Sequence, residues 1–302
     1  MCERKICSVM GSGFGLYGYT PAAIRSGYRV HLSERYIQRF ESREELLPFR
    51  EQIDFVKEDD LLRDAALCII AKRPSDQYEL LPLILDRASA SKIMLEKPLA
   101  ASPDQAKELC SLLRDSKKAI RIGYAFLYTS WGREVVSKIK AKKADIRIEW
   151  DFLAYHFKHD ISNWKRFTSQ GGGALRFYGI QFIGLLAAAG VWDVEESTIS
   201  CANLDEAIRW KTELHEKGGS HVFLSIDSHS IQSKFHCQIN TGKDFFDFSA
   251  DSPFESSKSR LDSRIDCLSE IIRSFEENVL YSIDDSIMLW SKIETHTHCL
   301  PL

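Results

Sequence analysis

Lys5-Ile6-Cys7-Ser8-Val9-Met10-Gly11-Ser12-Gly13-Phe14-Gly15 is the stretch on which the reading of this chain turns. A short apolar run that stops in glycines suits a buried parallel strand followed by a tight turn. The first glycine permits the turn, and the second lets a backbone approach a phosphate with no side chain between. The helix that follows offers free N–H groups and a positive dipole end to an anion. Two registers of the Gly-x-Gly pattern are available. Counting from Gly11 puts Leu16 at the third place, and counting from Gly13 puts Gly18 there. The first is preferred because Gly11 directly follows the strand. The expected contacts to a dinucleotide are Gly11, Gly13, Phe14 and Gly15.

Working outward, strand and helix patterns alternate. Tyr28–Leu32, Ile53–Val56, Ala66–Ala71, Lys92–Leu95 and Ala119–Tyr124 read as strands. Between them, Pro21–Ser26 and Tyr78–Ala88 read as helices. A further helix starts at Ser102-Pro103-Asp104-Gln105, a capping box with proline at the first helical position. Repeated strand–helix units predict a doubly wound parallel sheet, an α/β Rossmann domain. The remainder differs. Ile146–Phe152 has strand character, and Gly171–Ala189 opens in glycines and continues as an apolar helix. From Ser197 onward alternation dominates, with Val222, Leu224 and Ile226 on one face and Phe235, Cys237 and Ile239 on another. This predicts an α+β domain with an open, mostly antiparallel sheet. Helices over about 261–279 and 282–295 finish the chain. The expected domains are 1–122, for dinucleotide binding, and 123–302, for substrate binding and oligomerisation.

Composition narrows the partners. A chain of 302 residues suits two domains, because single cores stop growing at roughly 250–300 residues. Hydrophobic residues make up 44% and charged residues 27%, as expected of a globular protein. The net charge of -3 argues against nucleic acid as a partner. The basic runs at 138–143 and 260–264 read as solvated helix ends. Eight cysteines without a Cys-x-x-Cys pair read as reduced, buried thiols. Ile6–Met10 is too short for a secretory signal, and no membrane span is expected, so the expected location is cytoplasmic. The His296-Thr297-His298-Cys299 run has metal-like residue types but no second cluster, and no metal site is expected.

The adenosine ribose should lie about 20 residues beyond the turn, where Ser33-Glu34-Arg35 stands. Glu34 would accept from a ribose hydroxyl, which favours NAD. Ser33 with Arg35 would hold a 2′-phosphate, which favours NADP. Placing Ser33 at the strand's terminal position leans the reading to NADP, with both open.

At Met94-Leu95-Glu96-Lys97-Pro98 the chain resembles the Gfo/Idh/MocA oxidoreductases. The glycine turn and Gly171-Gly172-Gly173-Ala174-Leu175 stand at that family's usual spacing, and Trp164-Lys165 sits where the family often has Trp-Arg. The resemblance implies a nicotinamide cofactor between the two domains with a sugar or cyclitol above it. It implies that Lys97 faces the reacting oxygen and contacts the cofactor, and that Glu96 orients it and approaches the cofactor ribose. It also implies that the Lys72-Arg73-Pro74 loop, through Arg73, borders the nicotinamide.

The chain departs from the family at Phe177, where an acid is usual, and at Gln181, where a histidine or tyrosine usually moves the proton. Glutamine hydrogen-bonds a hydroxyl but does not exchange a proton near neutral pH. The substitutes are Lys97 itself, Tyr178, and His156 or His159. The catalytic set is therefore Lys97, Gln181 and Tyr178, and the substrate contacts are Lys97, Trp164 and Gln181. The leading expectation is an NAD(P)-dependent enzyme interconverting a hydroxyl and a ketone on a sugar, aminosugar, sugar nucleotide or cyclitol. The alternatives are a dinucleotide-binding sensor or scaffold without turnover, and an enzyme that reduces its nicotinamide transiently during elimination or hydrolysis. The open sheet face suggests a homo-oligomer, a dimer or tetramer.

Overall fold

A computed structural model of the chain describes residues 4–141, 143–203, 205–254, 260–277 and 281–301. The chain forms two compact units. One comprises Met1–Leu99, Glu108–Ala125 and Ser256–Val279, and the other Ala100–Lys107, Phe126–Glu255 and Leu280–Leu302.

The first unit carries six strands: β1 (Ile6–Met10), β2 (Arg29–Ser33), β3 (Ile53–Val56), β4 (Leu67–Ile70), β5 (Lys92–Leu95) and β6 (Ala119–Ile122). They form one fully parallel sheet in the order β3-β2-β1-β4-β5-β6. Val9, Leu67, Cys68, Ile69, Ile70, Ile93, Met94 and Leu95 are fully buried, as expected of strands covered on both faces. The strand order reverses between β1 and β4. Open α/β sheets bind ligands outside the carboxyl ends of their strands at such a reversal.

The units are not the continuous spans 1–122 and 123–302. Residues 256–279 return to the first unit, where the helix Ile265–Arg273 lies against the helix Thr20–Arg25. Ser269 donates to the Ala22 carbonyl at 3.3 Å, Ser26 donates to the Ser269 carbonyl at 3.2 Å, and Arg25 pairs with Asp266 at 2.6 Å. The helix is amphipathic and buries Ile265, Leu268, Ile271 and Ile272. That pattern demands an apolar partner but does not name one. Its α-helical part is also shorter than the span 261–279.

The second unit holds β7 (Asp145–Leu153), β8 (Trp192–Cys201), β9 (Ala207–Glu216), β10 (His221–Asp227), β11 (His229–Asn240), β12 (Phe245–Ala250) and β13 (Thr297–Pro301). The sheet runs β12-β11-β7-β10-β9-β8-β13, antiparallel except for the pairs β7–β10 and β8–β13. Val222, Leu224, Ile226, Phe235, Cys237 and Ile239 are all buried, while alternate residues are partly exposed, so one face is covered. Thr297, His298 and Cys299 of the His296–Cys299 run lie in edge strand β13. Its side chains lack apolar alternation.

Two expectations are corrected here. The segment Thr168–Ala189 is long and apolar enough by length and composition to cross a membrane, contrary to the reading that no segment is. Its apolar window is 78% buried inside the protein, as for a core helix. The thiols are not uniformly buried either. Cys7, Cys68, Cys110 and Cys237 are, but Cys201 and Cys267 are partly exposed and Cys299 is exposed. Cys201 and Cys299 face each other across β8 and β13, sulfur to sulfur at 3.1 Å.

Candidate active site

The glycine turn lies at the carboxyl end of β1, at the reversal point. Gly11 has φ +146°, and a Cβ there would stand 2.2 Å from the Ala71 carbonyl oxygen just past β4. Only glycine fits both conditions. Gly15 carries the close helix–strand packing: a Cβ would lie 3.2 Å from Ala71 Cβ and 3.3 Å from Val9 Cγ1. Above Gly13 a Cβ would meet nothing within 4 Å. The middle of the turn is thus open to a ligand while its two flanks are filled. The helix starts with a π-turn over Gly15–Tyr19, in which the Thr20 N–H and hydroxyl both reach the Gly15 carbonyl. Such π-turns occur often at functional sites. A pyrophosphate needs bare backbone at a helix N-terminus in a positive setting, and these residues fit one.

Three arginines that the motifs did not single out stand around the turn, of which Arg43 is paired with Glu45 and Arg264 with Asp262. Arg39 Nη1 donates to Ser12 Oγ at 3.1 Å. The Arg43 guanidinium lies 4.6 Å over the Tyr17 ring, and that of Arg264 lies 3.9 Å over the Phe14 ring. Arg264 is half-buried and held by both carboxylate oxygens of Asp262, at 2.8 and 2.6 Å. The 260–264 run is therefore not simply a solvated helix end. Residue 264 comes from a distant part of the chain, so no local spacing points to it.

Ser33 ends β2, fully buried, and its hydroxyl accepts from the Arg35 N–H at 3.4 Å. Glu34 and Arg35 are exposed, and Arg35 pairs with Glu58 at 2.5 Å. Arg73 is more than half exposed. It grips Asp76 at 2.9 and 3.1 Å, an ion pair across the first turn of the helix Pro74–Arg87.

Glu96 and Lys97 follow β5 at the same sheet edge. The Tyr19 hydroxyl, fully buried in the glycine-turn helix, donates to Glu96 Oε2 at 2.5 Å. Gly123, after β6, makes room for this pair, since a Cβ there would stand 2.3 Å from Tyr19 Oη. Gln77 fixes the loop itself. Its Nε2 donates to the carbonyls of Glu96 (3.0 Å), Leu99 (2.9 Å) and Pro98 (3.4 Å), and its Oε1 accepts from the Glu96 N–H at 3.2 Å. Gln77 is fully buried and Lys97 is 8% exposed, so an ammonium is carried on a rigid, nearly dry loop. Gln77 sits in the first turn of the helix Pro74–Arg87, one residue before the helix expected over Tyr78–Ala88.

In the second unit the glycine run folds back on residues 164–167. The N–H of Gly173 donates to Lys165 O and that of Gly172 to Phe167 O, both at 2.9 Å. A Cβ on Gly172 would stand 2.3 Å from Trp164 O. Trp164 meets Phe177 edge to face at 5.2 Å, and Phe177 meets Tyr178 at 4.8 Å. Tyr178 also faces Phe152 at 4.8 Å, Trp150 at 5.6 Å and His156 at 6.4 Å. The result is a continuous aromatic wall. Gln181 is 6% exposed, and its Oε1 accepts from the Phe126 N–H at 3.4 Å.

The histidine substitutes separate. His159 is exposed and stacks on Tyr155 at 4.3 Å. His156 is 3% exposed. Burial, then the charges of Lys165 and Arg166, push its pKa down to about 4, so the imidazole is neutral at pH 7 and offers no imidazolium proton.

Residues 7–124 match the family model described as an oxidoreductase family with an NAD-binding Rossmann fold. No curated protein matches the sequence. Among solved structures, GenD2 from gentamicin A biosynthesis, in complex with NAD, is similar with a TM-score of 0.72 at 14% identity, over 97% of this chain and 93% of that one. KijD10, a 3-ketoreductase from Actinomadura kijaniata, in complex with NADP and TDP-benzene, gives 0.71 at 13% identity, over 99% and 100%. A myo-inositol dehydrogenase from Corynebacterium glutamicum gives 0.70 at 11% identity, over 97% and 95%. At such identities these three share the fold. The match to the Gfo/Idh/MocA oxidoreductase family model lies in residues 7–124, the part of the chain that carries the NAD-binding Rossmann fold.

Proposed function

We propose that this protein is an NAD(P)-dependent oxidoreductase that interconverts a hydroxyl and a ketone on a sugar, aminosugar, sugar nucleotide or cyclitol. The observation that carries the reading is Lys97: a nearly buried ammonium on a loop clamped by Gln77, at the same sheet edge as the open glycine turn. The bound dinucleotide supplies the hydride acceptor or donor. Gly11, Gly13, Phe14 and Gly15 hold its pyrophosphate, with Arg39 adding positive charge beside Ser12. Ser33, Arg35 and Arg39 favour the 2′-phosphate of NADP, whereas Glu34 would serve the free ribose of NAD. Glu96, held by Tyr19, orients Lys97, and Arg73 borders the site.

Lys97 donates a hydrogen bond to the reacting oxygen and stabilises the charge that develops on it. Gln181 holds a substrate hydroxyl without exchanging its proton. Tyr178 is the remaining hydroxyl able to pass a proton in the second unit's group, because His156 is neutral there. Trp164, with the aromatic wall behind it, suits the apolar face of a sugar ring. The keto reduction in the name of the 3-ketoreductase and the inositol in that of the dehydrogenase support this choice.

The test mixes the protein with NADH or NADPH and a panel of keto-sugars and keto-cyclitols and follows nicotinamide absorbance. Turnover that is lost in Lys97→Ala, with NADPH preferred, supports the proposal. Tight dinucleotide binding without turnover on any member would instead favour a sensor, the reading that Phe177 and Gln181 motivate.

A further inference from the structure

The open face of the second unit's sheet carries a cluster that the dinucleotide chemistry does not use. Along one row, Asp145 on β7 registers with His221 on β10, His221 with His215 on β9, and His215 with Asp193 on β8. Just past Asp193, β8 makes a bulge between Val194 and Glu196, and Glu195 is the extra residue. Strand alternation would turn one of two neighbouring residues inward. The bulge leaves both Glu195 and Glu196 exposed, and it aims Glu195 at His215. The imidazoles of His215 and His221 lie 4.8 Å apart at 33°, and Glu213 stands 3.6 Å from His221 Nε2.

We propose that Glu195, His215 and His221 form a binding site for a borderline divalent transition-metal ion, Zn2+ or Ni2+ in class. One ligand atom from each residue lies within 4.8 Å of the others. Tetrahedral Zn2+ with bonds of about 2.0–2.1 Å needs ligands roughly 3.4 Å apart, so closure takes a shift of roughly 1 Å in rotatable side chains. The backbones need not move, because all three residues sit on hydrogen-bonded neighbouring strands. Two imidazoles and one carboxylate select Zn2+ and Ni2+ over Mg2+ and Ca2+, which prefer all-oxygen sites. Water fills the remaining position, and Glu213 is placed to accept from the outer ring nitrogen of His221. Asp193 is engaged by Lys292 and is not a ligand.

The test is calorimetric titration of the full chain with Zn2+, and separately with Mg2+, in a Cys299→Ser background that removes the exposed thiol. The expected result is one Zn2+ per chain. His215→Ala or His221→Ala should each weaken binding by at least about tenfold, and Glu195→Gln less. These residues are on the surface, so circular dichroism should show the variants folded. Ni2+ broadening of the His215 and His221 ring resonances gives a second readout that does not depend on any activity. The proposal is overturned if the double histidine variant binds Zn2+ as tightly as the parent. It is equally overturned if Mg2+ binds as well as Zn2+.

Discussion

Replacing Gln77 by leucine should loosen the Glu96–Leu99 loop without touching Lys97. The amide nitrogen has two hydrogens and three acceptors in reach, so the contacts at 2.9 and 3.0 Å are the bonds and the one at 3.4 Å is shared. The Glu96 N–H keeps a partner in the Ile70 carbonyl at 2.9 Å. Leucine therefore strands two carbonyls in a buried setting at about 1–3 kcal/mol each. Its own burial offsets part of this, and the net loss should be about 3 kcal/mol. At about 2–4 °C per kcal/mol for a domain of this size, the first unit's melting point falls by roughly 6–12 °C. The assay is thermal unfolding by far-UV circular dichroism, with tryptophan fluorescence in parallel. Trp131, Trp150, Trp164, Trp192, Trp210 and Trp290 all lie in the second unit, so fluorescence isolates that unit's transition. Hydrogen exchange over residues 96–99 should rise. A loss under about 0.5 kcal/mol, the range of a neutral surface substitution, with unchanged exchange there would refute the clamp.

Three further outcomes are expected. Gly13→Ala should leave the melting point within about 1–2 °C but weaken NADPH binding at least about tenfold by filling the open space, whereas Gly11→Ala should prevent a normal fold; a Gly13→Ala protein that binds NADPH at full affinity would contradict the cradle. His156, pushed down from 6.5 to about 4 by burial, binds fewer protons folded than unfolded. Its contribution is full above pH 6.5 and is lost as pH falls toward 4, up to about 3 kcal/mol, and His156→Phe should flatten this part of the stability–pH curve in urea titrations. N-ethylmaleimide should label exposed Cys299 first and leave Cys7, Cys68 and Cys237 until unfolding, since burial raises all three thiols, the last two to about 12. Peptide mapping that finds Cys68 labelled as fast as Cys299 would contradict this.

The parallel sheet was legible because its central strands β1, β4 and β5 are short, largely apolar runs between turns, and Gly11 marked the reversal point through a conformation only glycine adopts. Ser33 ends β2, where counting from the turn placed it. What stayed hidden depends on distance along the chain. Gln77 stands just before the helix expected over Tyr78–Ala88, and its four contacts lie about twenty residues away. Arg264 reads as part of a basic run, yet it returns to the Phe14 ring. The bulge at Glu195 leaves no mark in composition, because one inserted residue in an alternating strand looks like a change of phase. The helix Ile265–Arg273 announced an apolar face and not the unit that receives it.

The central claim is that Lys97 acts on the reacting oxygen above a dinucleotide held by the Gly11–Gly15 turn. Its most direct test is single-turnover hydride transfer from bound NADPH in the parent protein, Lys97→Ala and Lys97→Arg, with cofactor affinity measured on the same samples. The account predicts affinity within about threefold in all three and a transfer rate lower by about 10²–10⁴ in Lys97→Ala, the range for loss of one acid–base group. Transfer at the parent rate in Lys97→Ala, with cofactor bound, would contradict it.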